Sequence, residues 1–374
     1  MKVPAKELQK LYLICMTNQK KIAVLCNYEL LPERVGGMDY FFWRFNQKCK
    51  ENNIHVDWFF PNTSNHGDYK NLHIKASNGK TIESFFIEDL KQNQIVYTHI
   101  ITHFIELCTP FFKEIKQVSK AKIIAVDHNP RPLNGYALKK KLAKRMKGLL
   151  YAKYIDVFVG VSQYTVNEIL KDFGNHLRKK TIPVYNGVLL DDILVRKNRN
   201  TSKPTFLVAS HLRKSKGIQD LIVAVSKLSV AIKSEIKIDI YGDGPYKEFL
   251  MLQVKQLHLE NVFSFKGSKS NLKEIYSLYD YMLQPTHMEC FSLSILESLA
   301  ANVPVITTNV GGNEEAVTNG INGFIYKAKD IEQLTLLLEE VYSGNKTITG
   351  YTRKLIEDNF EIDKMVSKYL QILN

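Results

Sequence analysis

Two carboxylates, Glu289 and Glu297, punctuate a run that is otherwise apolar or small, "HMECFSLSILESLAANVPVITTNVGGNEEA", beginning at His287. Pro285 closes an apolar run that reads as a strand, and a helix is predicted from about Leu293 through Ala301, with Ser292 or Ser294 as its cap. Glu289 then sits in the loop before the helix and Glu297 about one turn inside it. Eight helical residues span roughly 12 Å, and less where the loop folds back. An elongated polar ligand can therefore touch both acids while its middle lies on the helix start. There the backbone N–H groups of Phe291, Ser292 and Leu293 suit a diphosphate. The plainer reading is a locally paired Glu297 and a solvated Glu289. Against it, the helix is apolar on most sides, so a buried Glu297 needs a partner, and ribose hydroxyls are good ones.

These residues must be held by a repeating scaffold. Short β-like runs alternate with helical spacing: 21–26, 55–60, 94–99, 122–128, 156–162 and 181–187, and then again 205–210, 237–242, 262–267, 281–285, 304–309 and 322–326. Strands alternating with helices predict parallel sheets covered on both faces. A polar seam, "LDDILVRKNRNTSKP" (190–204), separates the two sets. The fold class expected is α/β, two doubly wound Rossmann-like domains facing across a cleft. The expected division is a first domain over 1–189, with 1–18 a peripheral extension, a second domain over 190–355, and a final helical segment at 356–374. In open α/β sheets ligands sit beyond the carboxyl ends of the strands. The second half places Ser210, His211, Asp243, Gly244 and the 285–289 loop at such ends.

With these elements in place, the stretch from Glu289 to Glu297 and onward through "LAANVPVITTNVGGNEEAVTNGINGFIY" resembles the donor-binding signature of family 4 retaining glycosyltransferases, which have the GT-B fold. "ASHLRKSKGIQDLIVAV" (209–225) is similar to that family's basic loop and "IYGDGPYKEFL" (240–250) to its glycine turn. "VGVSQYTVNEIL" and "IPVYNGV" resemble the end of its first domain. The likeness runs over roughly 21–372, strongest over 205–326. It implies that Glu289 contacts the transferred sugar, Glu297 the ribose, and the backbone of Phe291, Ser292 and Leu293 the phosphates. Lys216 matches the Lys that neutralises the leaving diphosphate. The usual Arg position holds His211, a departure that leaves the role to Arg213 or to His211 itself. Gly36 and Gly37 in "RVGGMD" match a flexible glycine loop. His128 matches a sugar-contacting His, and His99 stands at a similar place facing the acceptor, although a lone strand-end His is more often structural. Glu315 matches the acid after the Gly-Gly pair and receives no role. The chemistry implied is retaining, metal-independent hexosyl transfer, with a UDP-sugar favoured as donor. No cofactor is expected, and no Asp-x-Asp or clustered His/Asp metal site is visible in the chain. Lys and Arg would do the charge stabilisation that a metal does elsewhere. A nucleotide-sugar epimerase, a glucan synthase or an inactive scaffold are the alternatives within the fold.

The charge distribution points to the acceptor. The chain's formal net charge is +13, and residues 1–190 carry all of it, with 29 Lys+Arg against 16 Asp+Glu, while the rest carries 22 of each. "YALKKKLAKRMKGLLYAKY" (136–154) holds seven of these bases and no acid, with Leu138, Leu142, Met146, Leu149 and Leu150 at helical spacing. A basic amphipathic helix reads as an element for an anionic membrane surface; the alternative is a solvated helix whose apolar stripe packs on its own domain. The first reading suits a lipid-linked or saccharide acceptor in cell-surface polysaccharide synthesis, reached from the cytoplasm. Neither a zinc finger nor another nucleic-acid module is visible. The five scattered cysteines fit reduced thiols. The N-terminal stretch lacks the sustained apolar core of a signal peptide.

Overall fold

The computed structural model describes residues 20–374; the extension expected at 1–18 lies outside them. The first half folds around a seven-stranded sheet of β1 (Lys20–Cys26), β2 (Ile54–Phe60), β3 (His73–Ala76), β4 (His99–His103), β5 (Lys122–Asp127), β6 (Val157–Gly160) and β7 (Thr181–Pro183), in the order 3-2-1-4-5-6-7. The second half holds six strands, β8 (Phe206–Ala209), β9 (Ile238–Tyr241), β10 (Phe263–Gly267), β11 (Tyr281–Gln284), β12 (Val305–Thr308) and β13 (Gly323–Tyr326), in the order 10-9-8-11-12-13. All paired strands are parallel. Helices cover both faces of each sheet, which is why β1 is buried continuously from Ile22 to Cys26 rather than at alternate residues. In each sheet the strand order reverses direction beside the first strand, between β1 and β4 and between β8 and β11. The carboxyl ends at these two switch points face each other across a cleft.

Two strands differ from the sequence reading. The run 94–99 is not a strand: Gln94 ends the preceding helix in the left-handed region (φ 48°), Val96 lies exposed, and pairing begins only at His99. The edge strand β3, "HIKA", has no apolar run to announce it and is found only through its register with Asp57–Phe60.

The chain crosses between the halves more than once. Val188 bridges to Glu361, and the last helix, Ile362–Ile372, packs on the helix Gly37–Glu51 of the first domain. Their seam joins the Phe41 and Tyr369 rings, with centroids 5.1 Å apart, to an Arg44–Asp363 pair bonded through both guanidinium nitrogens at 2.5 and 2.6 Å.

Candidate functional site

A cavity of about 610 Å³ fills the cleft. The second domain supplies the basic loop after β8, the glycine turn after β9 and the 289–297 stretch after β11; the first domain supplies residues 33–36, Met38, Phe104, His128, Val161 and Asn186. Glu289, Glu297, Phe291, Ser292, Leu293, Lys216, Arg213, His211, Asp243, Gly36 and His128 all line it.

The helix that carries the second acid runs Leu293–Ala300, and the Ser292 hydroxyl caps it by accepting from the Ile295 N–H. Such a start leaves its first N–H groups without intrahelical partners, and these open on the cleft. Glu297 accepts from the Tyr276 hydroxyl at 3.1 Å. Burial pushes its carboxyl up to about 7, against the Tyr276 hydrogen bond and the Lys273 charge, which pull the other way. Glu289 Oε2 accepts from the Lys216 ammonium at 2.8 Å, and its Oε1 from the Cys290 N–H at 3.2 Å. Glu289 and Lys216 thus hold each other in place, one unit of positive charge against one of negative.

Arg213 and His211 stand beside Lys216 in the same wall. Partial burial, with Arg213 next in weight, lowers the His211 pKa and keeps the ring neutral at neutral pH. Arg213 is therefore, with Lys216, one of the two fixed positive charges that this loop turns to the cavity. Asp243 turns its carboxylate to Lys247 at 3.0 Å and is exposed. Gly244 does not line the cavity; it abuts the Leu212 carbonyl and shapes the basic loop from behind.

On the first-domain side Gly36 is open to the cleft, with no atom within 4 Å of a Cβ built there. Gly37 does a different job. A Cβ on it would stand 2.8 Å from Leu293 Cδ1, so this glycine packs against the leucine that opens the helix Leu293–Ala300 of the second domain. His128 lines the cavity and its Nε2 is 3.0 Å from His103 Nδ1. Burial pushes His128 down to about 4 and His103 well below the usual imidazole range, so the pair is neutral. His99 lies elsewhere. Because β4 begins rather than ends with it, His99 is buried at the amino end of the sheet, 3.1 Å from Thr98 Oγ1 and away from the cavity. The second His of "YTHIITH", His103, is the one at the carboxyl end. Sequence reasoning ended the strand at His99, where it begins, and so passed over His103.

Several contacts seal the cleft floor. Ser162 Oγ donates to the Cys290 carbonyl at 3.1 Å, and Asn186 Nδ2 to the Phe291 carbonyl at 3.1 Å. The Glu315 carboxylate accepts from the Gln163 and Tyr164 N–H groups at 2.8 and 2.7 Å. Ser162 and Asn186 lie within the segments matched to the end of the first domain, but nothing in their spacing marks them as bridging residues. Tyr276 carries no such signal either. Among the described residues, the one His/Cys/Asp/Glu group compact enough for a metal ion is His55, Asp57 and His73, on the first sheet and outside the cleft.

The basic segment forms the helix Leu138–Tyr151. At 3.6 residues per turn, Leu138, Leu142, Met146 and Leu149 share one side, and Lys144, Gly148 and Tyr151 the other. The helix packs through the second side. Gly148 is its buried residue, and a Cβ there would fall 2.2 Å from the Phe173 carbonyl oxygen. Lys144 reaches Asp172 at 3.1 Å and lies over the Phe173 ring. The leucine side faces outward, with Leu138 72%, Leu142 60% and Met146 55% exposed. The stripe does not pack on its own domain. No helix among the described residues is long and apolar enough to cross a membrane.

Residues 191–358 match the family described as glycosyl transferases group 1. Over 173 residues the chain is 31% identical to the N-acetyl-alpha-D-glucosaminyl L-malate synthase of Bacillus anthracis, covering 45% of this chain and 44% of that protein. It is 25% identical to the poly(glycerol-phosphate) alpha-glucosyltransferase of Bacillus subtilis over 276 residues, 68% of this chain and 40% of that one. The chain spans less than half the length of these curated relatives. The fold superposes on Anabaena HepE in complex with UDP-glucose (TM-score 0.73, 16% identity, 94% of this chain and 99% of that one). It also superposes on the lipopolysaccharide outer core galactosyltransferase WaaB (TM-score 0.71, 18% identity, 94% and 98%). The two facing Rossmann-like domains are the GT-B arrangement.

Proposed function

We infer, from a second domain that belongs to the glycosyl transferases group 1 family, that the chain moves a hexose-type sugar from a nucleotide-diphosphate sugar to an acceptor hydroxyl. The observation that carries this reading is the shared wall of Glu289, Glu297, Lys216 and the capped helix start. Glu297 takes the ribose hydroxyls, which replace water as hydrogen-bond donors to a carboxylate that burial disfavours in its charged form. The helix start and Lys216 with Arg213 take the diphosphate, where charge grows as the sugar leaves. Glu289, freed from Lys216 as that base turns to phosphate, accepts from sugar hydroxyls. His128, neutral and held by His103, offers an uncharged imidazole at the sugar end. Transfer with retention and without a metal fits this set of charges. A UDP-sugar is the donor we favour, consistent with the UDP-glucose bound to the structurally similar Anabaena protein.

The outward leucine face of Leu138–Tyr151, flanked by Lys139 and Arg145, supports a lipid-linked or membrane-borne acceptor met at an anionic leaflet from the cytoplasmic side. Cell-surface polysaccharide or lipopolysaccharide assembly is the setting this implies. The first test is thermal stabilisation by UDP, GDP, ADP and their sugars, in the wild type and in Glu297→Ala. A ligand that binds the folded state alone raises its Tm by mass action. A shift with one nucleotide that disappears in the variant supports the donor site and names the base. No shift at millimolar nucleotide removes the transferase reading.

A further inference from the structure

At the amino end of the first sheet, remote from the cleft, three ligand-type side chains project from one face. His55 and Asp57 are two apart on β2 and so point the same way. His73, the first residue of β3, is the register partner of Asp57. His55 Nε2 lies 2.9 Å and His73 Nδ1 2.7 Å from the same atom, Asp57 Oδ1, and the three ligand atoms fall within 4.8 Å of one another. The other carboxylate oxygen, Oδ2, is engaged separately, by the Tyr97 hydroxyl at 2.6 Å and Lys21 Nζ at 3.1 Å.

We propose that His55, Asp57 and His73 bind one late first-row divalent cation, with zinc as its natural occupant, and that the ion staples the edge strand β3 to β2. Two neutral imidazoles and one carboxylate, with water in the fourth position, are a donor set suited to zinc. Asp57 is the fixed ligand: its side chain is 0% exposed, and Tyr97 and Lys21 hold it as outer partners hold a metal-binding carboxylate. The imidazoles are the adjustable ligands, 42% and 59% exposed. Ligands about 2 Å from a tetrahedral ion stand about 3.3 Å apart, so each ring retreats by about half an ångström as the ion replaces the protons it now shares with Oδ1. Entry is through an adjoining cavity of about 410 Å³ lined by both rings and by Asn46, Lys50 and Lys70. The Lys21 charge beside Oδ2 repels the ion, so the site should be weaker than a buried structural zinc centre, with an affinity in the micromolar range.

The test uses untagged protein treated with a chelator and titrated with Zn²⁺ by calorimetry, and with Co²⁺ by visible absorption. One equivalent is expected, with the intense visible bands of a four-coordinate cobalt centre and a rise in Tm with zinc. His55→Ala and His73→Ala remove exposed rings and should keep the far-UV circular dichroism while weakening binding at least about tenfold. Absence of stoichiometric binding, or binding retained by the double variant His55→Ala/His73→Ala, overturns the site. None of these readouts involves sugar transfer, so the outcome is independent of the proposed activity.

Discussion

The carboxylate of Glu315, from the second domain, sits astride the start of the helix Gln163–Phe173 in the first and accepts from two consecutive backbone N–H groups, those of Gln163 and Tyr164. An acid at a helix N-terminus is favoured by the aligned peptide dipoles. Here helix and acid belong to different domains, so the bond forms only when the cleft is closed. Hydrogen bonds to a charged group contribute about 1.5–3 kcal/mol when well shielded, and less at this partly exposed site.

Glu315→Ala should therefore open the cleft without emptying it of ligand groups. We expect kcat/KM for sugar transfer to fall by about tenfold, which is about 1.4 kcal/mol, while the affinity for free nucleotide stays within about a factor of two. Small-angle scattering should show a larger radius of gyration. Unchanged scattering together with unchanged kinetics would remove closure from the role of this residue.

On the proposed reading, Glu297 links donor binding to pH. Its folded pKa of about 7 lies above the ordinary 4.5. The protonated acid is favoured in the empty fold, so this contribution to stability is fully present below about pH 4.5 and is lost as pH rises through about 7. Ribose hydroxyls reverse the preference, because they donate to the ionised form. Nucleotide should therefore bind roughly tenfold more weakly at pH 6 than at pH 8, with proton release on binding. Calorimetry in buffers of different ionisation enthalpy measures that release. Glu297→Gln should stabilise the empty protein at pH 8, weaken nucleotide and flatten the pH profile; a profile still sloped in this variant would assign the proton elsewhere.

Lys216 should matter more for turnover than for ground-state binding. It is paired with Glu289 in the empty cleft, and its charge is wanted most where the diphosphate departs. Lys216→Ala is expected to lower kcat by roughly 10²–10³-fold, and Arg213→Ala by less. A loss of the same size in 1/KM with kcat preserved would instead make Lys216 a binding residue only.

How far the sequence reached can be seen in particular residues. Glu289 and Glu297 announced themselves as isolated charges in an otherwise apolar run, and Lys216 through the match of its loop to the family's basic loop. His99 misled, since Val96 and Tyr97 look like strand residues and only Gln94, in a left-handed turn, and the register of β4 show that pairing starts later. Gly37 was legible as a glycine with a purpose, but its purpose is to admit Leu293 from the other domain, a long-range contact that no local pattern encodes. Ser162 and Asn186 are invisible for the same reason, each an ordinary polar residue until the two domains meet, and Glu315, matched by position, gains its role only at that contact. The triad of His55, Asp57 and His73 depends on a strand, β3, too polar to be read from its four residues.

The helix Leu138–Tyr151 was legible as amphipathic but not in its orientation. Periodicity says that one side is apolar; it does not say which side faces the domain. Gly148 decides this, since its missing side chain lets the backbone approach Phe173 and turns the leucines outward. Water-exposed leucines beside Lys139 and Arg145 are what an anionic interface recruits. We expect the protein to sediment with vesicles containing phosphatidylglycerol and to remain in solution with neutral ones. Leu142→Asp/Met146→Asp should abolish sedimentation while the Tm stays within a few degrees, because both side chains are already in solvent. Reversing Lys139, Lys140 and Lys141 should weaken it by roughly 1 kcal/mol per residue and reduce its salt dependence. If the aspartate pair sediments as the wild type does, the leucine face has another partner, and transfer to a soluble acceptor should then proceed at the same rate with or without vesicles.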